Sequence, residues 1–274
     1  MTSEKVTSLE VAKQAGVSQS AVSRVFTPGA SASKKTVERV RKAATDLGYR
    51  PNVLARAMVS GKSRMIGLVV AYLDNLFYPD ALERLSNELK EKGYHVLIFM
   101  ASQTSGNVDE VLQEIMDYQV DGIVLASVAM SSDLAKDCQR AGVPVVLFNR
   151  SQDDDRLSSV GSDNVSGGRK IADFLIAGGH KRISHIAGWE GASTQRDRET
   201  GFLSGLNSAQ IKLFSRDVGN FEIEQAREAA RRMFDRNDHP DAVFVANDHM
   251  AIGVMDVLRI ELGLSVPNLS LIHI

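Results

Sequence analysis

From residue 64 onward, short runs of consecutive apolar residues alternate with stretches of helical periodicity. Runs that are apolar at every position indicate strands buried on both faces. Such strands separated by helices predict an α/β fold with a parallel sheet covered on both sides, and a ligand is expected at the carboxyl ends of the strands. The predicted strands are Ile66–Ala71, Val96–Ala101, Gly122–Ala126, Val143–Phe148, Ile183–Ala187 and Ala242–Ala246, and the predicted helices are residues 79–92, 108–118, 132–141, 164–177, 197–208, 222–236 and 248–261. The polar stretch Ser151–Ser159 interrupts this series and predicts a surface crossing or a subdomain boundary.

Residues 1–48 have a different pattern, which predicts three short helices. Thr7 and Glu10 have the spacing of a capping box, so Thr7 is expected to cap the first helix. Ser18 is the expected cap of the second helix. The third helix is predicted over residues 33–47, with its apolar residues on one face.

Residues 49–62 form a separate segment between these helices and the α/β pattern. Pro51 disfavours helix at the residue before it, whereas Asn52 can cap a short helix that reaches Met58. A helix of this length is not stable alone. We therefore expect it to order only when another surface packs on it.

The charge of the chain is unevenly distributed. Residues 1–62 carry a net charge of +7 and the rest of the chain carries −9. A small basic segment on an acidic body suits a module that binds a polyanion while the rest of the protein stays away from it. Charge alone leaves DNA, RNA and an acidic protein open as the partner.

The chain has no feature of a secreted or membrane protein. Its single cysteine, Cys138, excludes an internal disulfide. The N-terminal residues lack the apolar stretch of a signal peptide, and no apolar run reaches the roughly 18 residues that a membrane helix needs. These observations predict a cytoplasmic protein.

The residues VTSLEVAKQAGVSQSAVSRVF (6–26), followed by GYRPN (48–52), resemble the lactose- and galactose-repressor (LacI/GalR) family of bacterial transcriptional regulators. The resemblance continues through the α/β part of the chain. It implies a helix-turn-helix DNA-binding domain over residues 1–48, a hinge helix over 49–62, and an effector-binding and dimerisation domain of two Rossmann-like lobes over 63–274. It also implies a homodimeric repressor that binds a palindromic operator and is controlled by a small-molecule effector.

The second helix of a helix-turn-helix lies in the major groove, with its N-terminal residues at the base edges. By resemblance, Gln19, Ser20 and Arg24 read bases; Arg24 can pair with guanine through two hydrogen bonds and Gln19 with adenine. The resemblance further implies phosphate contacts for Thr7, Ser18 and Ser23. The alternative for Gln19 and Ser20 is that they only cover a solvated helix face.

Three residues follow the spacing of the family's hinge helix: Asn52, Ala55 and Met58. Most relatives have a leucine that wedges into the minor groove where this chain has Met58. An apolar wedge kinks the duplex, and a flexible methionine can serve this purpose. The alternative is that Met58 packs at the junction of the hinge with the sensor, which is the α/β part of the chain.

Seven sensor residues match effector contacts of the family: Phe77, Tyr78, Asn149, Arg198, Phe221, Asn247 and Asp248. Asn149 stands where many relatives have aspartate, and Asp163 and Asn164 are weaker candidates. Aromatic walls with amide and carboxylate groups suit a sugar or a sugar acid, and a purine remains open because it also stacks. For any single polar residue of the set, the alternative is a turn or capping role.

The sequence contains no pattern typical of catalysis, a cofactor or a metal site. It has no Ser/His/Asp or Cys/His signature and no spaced histidine cluster, and its glycine pairs lack phosphate-loop spacing. We therefore expect a protein that binds its ligands without catalysing a reaction. The main alternative, a binding protein for transport or chemotaxis with the same sensor fold, would need a signal peptide and no basic head.

The family pattern extends to Asn268 and then changes. The last six residues, LSLIHI (269–274), can be encoded by CTG TCT CTT ATA CAC ATC, which resembles a transposon end used in library preparation. This predicts that residues 269–274 are not native and that the sensor is truncated in its second lobe. Such a fragment is expected to expose apolar surface that relatives bury.

Overall fold

The computed structural model of the chain describes residues 6–27, 29–51, 61–71, 73–101, 108–128, 131–152, 154, 156–235, 238–266 and 270–273. Contacts within the chain divide it into two units, with the division between Ser63 and Arg64. The first unit is called the head below, and the second is the sensor.

The described part of the head consists of three helices: α1 (Ser8–Ala15), α2 (Gln19–Phe26) and α3 (Lys34–Leu47). Each helix contributes to a small shared core, in which Val11, Val22 and Val40 are fully buried. The predicted capping box is present, because the Thr7 hydroxyl accepts from the Glu10 amide and the Glu10 carboxylate accepts from the Thr7 amide. The capping box sets the start of α1, and the shared core holds α2, which carries the candidate base-reading residues, against α1 and α3.

The sensor contains two parallel sheets, and the first forms lobe 1. Its strands are β1 (Met65–Val70), β2 (His95–Met100), β3 (Gly122–Ala126), β4 (Val145–Phe148) and β5 (Ser158–Val160), in the order β2-β1-β3-β4-β5. Its helices are α4 (Phe77–Glu91), α5 (Val108–Asp117) and α6 (Ser132–Arg140). In β1, Val69 packs into one core cluster whereas Leu68 and Val70 pack into another. The sheet is therefore buried on both faces, as its continuous apolar strands predict.

The second sheet forms lobe 2 by the same pattern. Its strands are β6 (Ile183–Ala187), β7 (Arg216–Val218), β8 (Ala242–Val245) and β9 (Ser270–His273), in the order β7-β6-β8-β9. Its helices are α7 (Asn164–Ala177), α8 (Ser193–Ser208), α9 (Ile223–Phe234), α10 (Asp248–Asp256) and a following π-helix (Val257–Glu261). Successive β8 residues again alternate between two core clusters. Among the described residues, no helix is long and apolar enough to cross a membrane.

Helices α7 and α8 approach each other closely at glycines. A Cβ atom on Gly168 would overlap the carbonyl oxygen of Arg198, and one on Gly201 would overlap that of Val165. Larger residues at these positions would force the two helices apart. This contact holds the start of α8, and therefore Arg198, close to α7.

The predicted two-lobed α/β architecture is confirmed, but several element boundaries differ. Strands β5 and β7 were not predicted, because each has three residues and lies at a sheet edge with little apolar character. The Ser151–Ser159 stretch, expected to be a surface crossing or a subdomain boundary, ends in strand β5. Helix α8 begins four residues earlier than predicted, since polar Ser193, Thr194 and Gln195 are buried in its first turn. Residues Ser270–His273, expected to be non-native, pair with β8 in parallel register.

Candidate functional sites

Helix α2 presents one polar face to solvent and one apolar face to the core of the head. Gln19, Ser20, Ser23 and Arg24 are exposed, whereas Val22 is fully buried. The spacing i, i+1, i+4, i+5 places the four exposed residues on one side of a helix. This side begins at the N-terminus of α2, where a recognition helix contacts base edges.

The exposed side chains of α2 form hydrogen bonds within the helix and with helix α1. The side-chain Nε2 of Gln19 donates to the Ser8 hydroxyl at 2.8 Å, and Arg24 Nε donates to the Ser20 backbone carbonyl at 3.4 Å. Ser18 caps the helix by accepting from the Ala21 amide. These contacts orient polar groups that are exposed to solvent and available to a partner.

The structure therefore brings the six predicted DNA-contacting residues of the head to its surface: Thr7, Ser18, Gln19, Ser20, Ser23 and Arg24. Thr7 and Ser18 also cap helices, as their positions in the sequence predict. A groove beside α2 is lined by Arg24 together with Ser31 and Ser33, which the sequence analysis did not select. The predicted hinge helix, with Asn52, Ala55 and Met58, lies outside the described residues.

A cleft of about 290 Å³ lies in the sensor at the carboxyl ends of strands from both lobes. Lobe 1 contributes residues that follow β1, β4 and β5, and lobe 2 contributes residues that follow β6, β7 and β8. Parallel sheets place ligands at this edge. The lining residues are Asn75, Phe77, Tyr78, Asn149, Arg150, Ser162, Thr194, Arg198, Phe221, Asn247 and Asp248.

All seven predicted effector contacts line this cleft, although they are separated by up to 171 positions in the chain. Phe77 is 46% exposed and stacks on Phe148 with ring centroids 5.9 Å apart. Tyr78 is almost fully buried, and its hydroxyl accepts a hydrogen bond of 3.0 Å from the Asn149 amide. The aromatic surface offered to a ligand by lobe 1 is therefore mainly the ring of Phe77.

Lobe 2 holds its cleft residues through buried contacts. Arg198 Nε donates to Asn164 Oδ1 at 2.9 Å, and Arg198 Nη1 donates to the Ala246 carbonyl at 2.5 Å. Asn164 thus positions Arg198 and does not itself line the cleft. Asn247 caps α10 through its side-chain oxygen, which accepts from the Met250 amide.

Phe221 occupies its place in the cleft wall at a cost in backbone conformation. Its φ of 64° lies in the left-handed region, which is unfavourable for a bulky residue. A Cβ atom on Gly188 would overlap the Phe221 ring, so a glycine is needed at that position. Asn149, across the cleft, also has a positive φ of 58°. Strained residues of this kind concentrate at ligand sites.

Four lining residues were not among the predicted contacts: Asn75, Arg150, Ser162 and Thr194. Arg150 directly follows Asn149, and its charge next to a strand end could have been a signal. Thr194 gave no signal in the sequence, because it precedes the predicted start of the helix at residue 197 and lies in the first turn of the observed helix α8. Arg150 Nη1 donates to Thr194 Oγ1 at 2.8 Å, and the Ser151 amide donates to Ser193 Oγ at 2.9 Å. These bonds connect lobe 1 to lobe 2.

A buried histidine lies behind the cleft in β6. His185 Nδ1 donates to the Phe244 carbonyl, and Nε2 accepts from the side-chain amide of Gln195. Burial lowers the pKa of His185 to about 4, so it is neutral in the folded protein. The side-chain oxygen of Gln195 also accepts from the backbone amide of Gly188, and Gly188 lies beside the Phe221 ring. The neutral imidazole therefore supports the cleft wall without titrating near neutral pH.

Carboxylates near this histidine are held ionised. Burial raises the pKa of Glu199, but the hydrogen bonds and charge of Arg216 outweigh it, so the net pKa lies below its ordinary value. The same balance lowers the pKa of Asp217, where the paired guanidinium belongs to Arg232. Within the described residues, no group of histidine, cysteine or carboxylate side chains has the arrangement of a metal site.

Two family models match the chain, and together they cover both units. Residues 7–52 match the model for bacterial regulatory proteins of the lacI family, and residues 63–268 match the model for periplasmic binding proteins and the sugar binding domain of the LacI family. The chain belongs to the LacI family. It is a DNA-binding transcriptional regulator, and the resemblance seen in its sequence is confirmed.

LacI-family relatives align over almost the whole chain. It is 27% identical to catabolite control protein A of Priestia megaterium, over 96% of this chain and 80% of that protein. It is 31% identical to the sucrose operon repressor of Streptococcus mutans, over 94% of this chain and 78% of that protein. The chain thus spans about four-fifths of the length of these LacI-family proteins.

Solved structures of two transcriptional regulators have the same fold as this chain. The lac repressor dimer bound to operator and the anti-inducer ONPF superimposes with a TM-score of 0.85 at 26% identity, covering 98% of this chain and 82% of that one. The complex of the regulator CelR with cellobiose superimposes with a TM-score of 0.67 at 28% identity, covering 98% and 82%.

Proposed function

We propose that this LacI-family protein is a repressor that binds a palindromic operator as a homodimer and is controlled by a sugar or sugar derivative. The observation that carries the proposal is the exposed polar face of α2 on a basic head. In this proposal Gln19, Ser20 and Arg24 read bases, because their side chains project from the end of the helix that enters the major groove. Thr7, Ser18 and Ser23 contact phosphates.

The relatives support repression and dimer formation. Their names include a sucrose operon repressor and the transcriptional repressor PurR, and the lac repressor structure contains a dimer on its operator. Edge strand β2 of this chain exposes Ile98 and Met100 by more than half of their surface. Exposed apolar side chains at a sheet edge suit burial against a second copy. The hinge residues Asn52, Ala55 and Met58 would then meet their counterparts at the centre of the operator.

We propose that the effector binds in the sensor cleft, between Phe77 of lobe 1 and Phe221 of lobe 2. Asn149, Arg198, Asn247 and Asp248 supply donors and acceptors for hydroxyl groups. A ligand there contacts both lobes and changes the balance between their open and closed arrangements. That change reaches the operator through the segment that joins the sensor to the head, so effector and DNA affinities are linked.

The protein acts in this proposal by binding and not by catalysis, and the matched relatives are transcriptional regulators. Because its target is chromosomal DNA, the protein functions in the cytoplasm, associated with the nucleoid when bound. The working boundaries are residues 1–48 for DNA binding, 49–62 for the hinge and 63–274 for effector binding and dimerisation.

Selection of bound duplexes from a random DNA pool tests the proposal. The full chain is expected to enrich an inverted repeat, whereas a variant with Gln19→Ala, Ser20→Ala and Arg24→Ala should enrich no sequence while remaining folded. The enriched duplex then allows operator affinity to be measured with and without candidate sugars. Equal recovery of all sequences by the wild-type chain would argue for a ligand-binding protein without base recognition.

A further inference from the structure

A buried arginine in the sensor cleft has donors without partners. Arg150 is 5% exposed, and its Nε and Nη2 atoms are buried with no hydrogen-bond partner among the described residues. Buried donors in folded proteins are nearly always paired. A guanidinium cannot escape this requirement by losing its proton. The unpaired atoms therefore need an explanation.

The rest of the Arg150 side chain is firmly held. Its Nη1 atom donates to the Asn149 carbonyl at 2.9 Å and to Thr194 Oγ1 at 2.8 Å. Its guanidinium carbon also lies 5.8 Å from the centre of the Phe221 ring, within the range of a cation–π contact. These contacts fix the group and leave Nε and Nη2 together on one edge. That edge has the geometry that binds two oxygens of a carboxylate or phosphate.

The charge of Arg150 also has no counter-ion among the described residues. Its polar partners are a carbonyl and a hydroxyl, both neutral. Asp248 lines the same cleft, but it is exposed and accepts from the His249 amide instead. Asp154, close in sequence, pairs with Arg156. A buried charge without an opposite charge is costly, so a ligand that supplies one would bind with a strong electrostatic advantage.

We propose that the effector is a monosaccharide-sized anion whose carboxylate or phosphate group binds the Nε and Nη2 edge of Arg150. This inference rests on the proposed function and specifies the chemistry of its ligand. The aromatic rings of Phe77 and Phe221 contact the ring of the sugar. The cleft volume of about 290 Å³ favours a single sugar unit, because small-molecule sites generally span roughly 300–1,000 Å³.

Calorimetric titration of the full chain with a matched panel tests this inference. The probes are D-glucose, D-glucuronate and D-glucose 6-phosphate, the corresponding galactose series, and inorganic phosphate, all at one ionic strength. At least one anionic sugar should bind ten-fold or more tightly than its neutral parent, which corresponds to about 1.4 kcal/mol. The carboxylate and phosphate members distinguish the two sources of the anionic group.

The variant Arg150→Gln should remove the preference for the anion, because it lacks the charged edge but retains a donor for Thr194. Its melting temperature without ligand should not fall below that of the wild type, since a buried unpaired charge has been removed. Arg140→Gln, an exposed arginine on α6 paired with Asp137, is the matched control and should change neither result. Arg150→Lys keeps the charge without the two-donor edge and should weaken the preference.

Three results would overturn the inference: neutral sugars that bind as tightly as their anions, an anion preference that survives Arg150→Gln, or no binding by any anionic probe. The wild-type panel decides the question even if the variants unfold. Operator affinity measured with the same probes separates this inference from the proposed function. Release of the operator by a neutral sugar alone would refute an anionic effector but support control of operator binding by a sugar. Anion binding through Arg150 with no effect on operator affinity would support the anion site but refute that control.

Discussion

The head and the sensor present opposite kinds of surface to their ligands. The recognition side of α2 belongs to a basic segment, and its residues Gln19, Ser20 and Arg24 are exposed to solvent. The sensor cleft is concave, and side chains such as Tyr78, Arg150 and Asn247 are buried in it. The head carries +7 and the remainder of the chain −9, counted at residue 62.

Because of this difference, a substitution on the recognition side of the head can change DNA affinity without changing folding stability, whereas a substitution at a buried position of the sensor changes both ligand affinity and folding stability. An exposed side chain on α2 can be changed with little effect on folding, because it contacts few neighbours. A residue buried behind the sensor cleft, such as Gly201 or His185, contacts elements that also carry cleft residues, so a change there alters the fold and the site together. The following predictions test this separation, from the largest expected effect to the smallest.

The largest effect is expected from Gly201→Ala in the sensor. The added Cβ atom would overlap the Val165 carbonyl and push α8 away from α7, which should lower the free energy of unfolding by roughly 3 kcal/mol or more. Chemical denaturation measures this, with the exposed position Asn207→Ala on the same helix as the control. A stability equal to the wild type would show that the helix contact can relax and that buried sensor positions are less constrained than we infer.

Acid pH should destabilise the sensor through His185. Burial lowers its pKa to about 4 in the folded state, whereas the unfolded side chain takes up a proton near pH 6.5. The contribution of the neutral His185 to the free energy of unfolding is therefore complete above pH 6.5. Below that pH it falls by about 1.4 kcal/mol per pH unit, to a total loss of about 3 kcal/mol at pH 4.

Denaturation curves between pH 6.5 and 4.5 isolate the histidine, since ionised carboxylates such as Glu199 and Asp217 lose their contribution at lower pH. The variant His185→Gln should lack this loss. Residues 1–62 contain no histidine, so a head-specific signal should stay constant over the same interval. A wild-type stability that does not change over these two pH units would contradict the assignment.

Arg24→Ala should reduce discrimination for the selected operator by about 2 kcal/mol while affinity for random DNA falls little, because one base-reading pair is lost. Unfolding should change by less than about 0.5 kcal/mol. Arg41→Ala, an exposed arginine on α3, is the charge-matched control. Fluorescence anisotropy on specific and random duplexes measures both variants, and equal losses on the two duplexes would exclude base reading by Arg24.

The smallest effect tests an exception within the head. Ser18 is exposed, but its hydroxyl caps α2 by accepting from the Ala21 amide at 3.2 Å. Ser18→Ala should therefore lower the stability of the head by about 1 kcal/mol and also weaken DNA binding. Ser23→Ala is the matched control, because it is exposed on α2 without a capping role. If Ser18→Ala and Ser23→Ala are equally stable, the cap contributes nothing to the head.

Prediction from sequence succeeded where the signal is local. The capping box at Thr7 and Glu10 lies within four residues, and strand β3 has the predicted bounds because its apolar run is continuous. Strand β5 was missed because its three residues are polar or exposed, so only its pairing with β4 defines it. The early start of α8 was missed because burial of Gln195 under the cleft wall, and not local preference, extends the helix.

The sequence by itself determined the two kinds of surface: a capped recognition helix on a basic segment, and a series of polar residues after parallel strands. Both follow from periodicity, capping and charge, which act between residues close in the chain. Only the tertiary structure decided that Arg150 lines the cleft while its Nε and Nη2 atoms have no partner among the described residues, because that depends on Thr194 and Phe221, which reach it from the other lobe. A cleft between lobes is assembled from distant residues, so the chemistry of its ligand emerges only when the chain is folded.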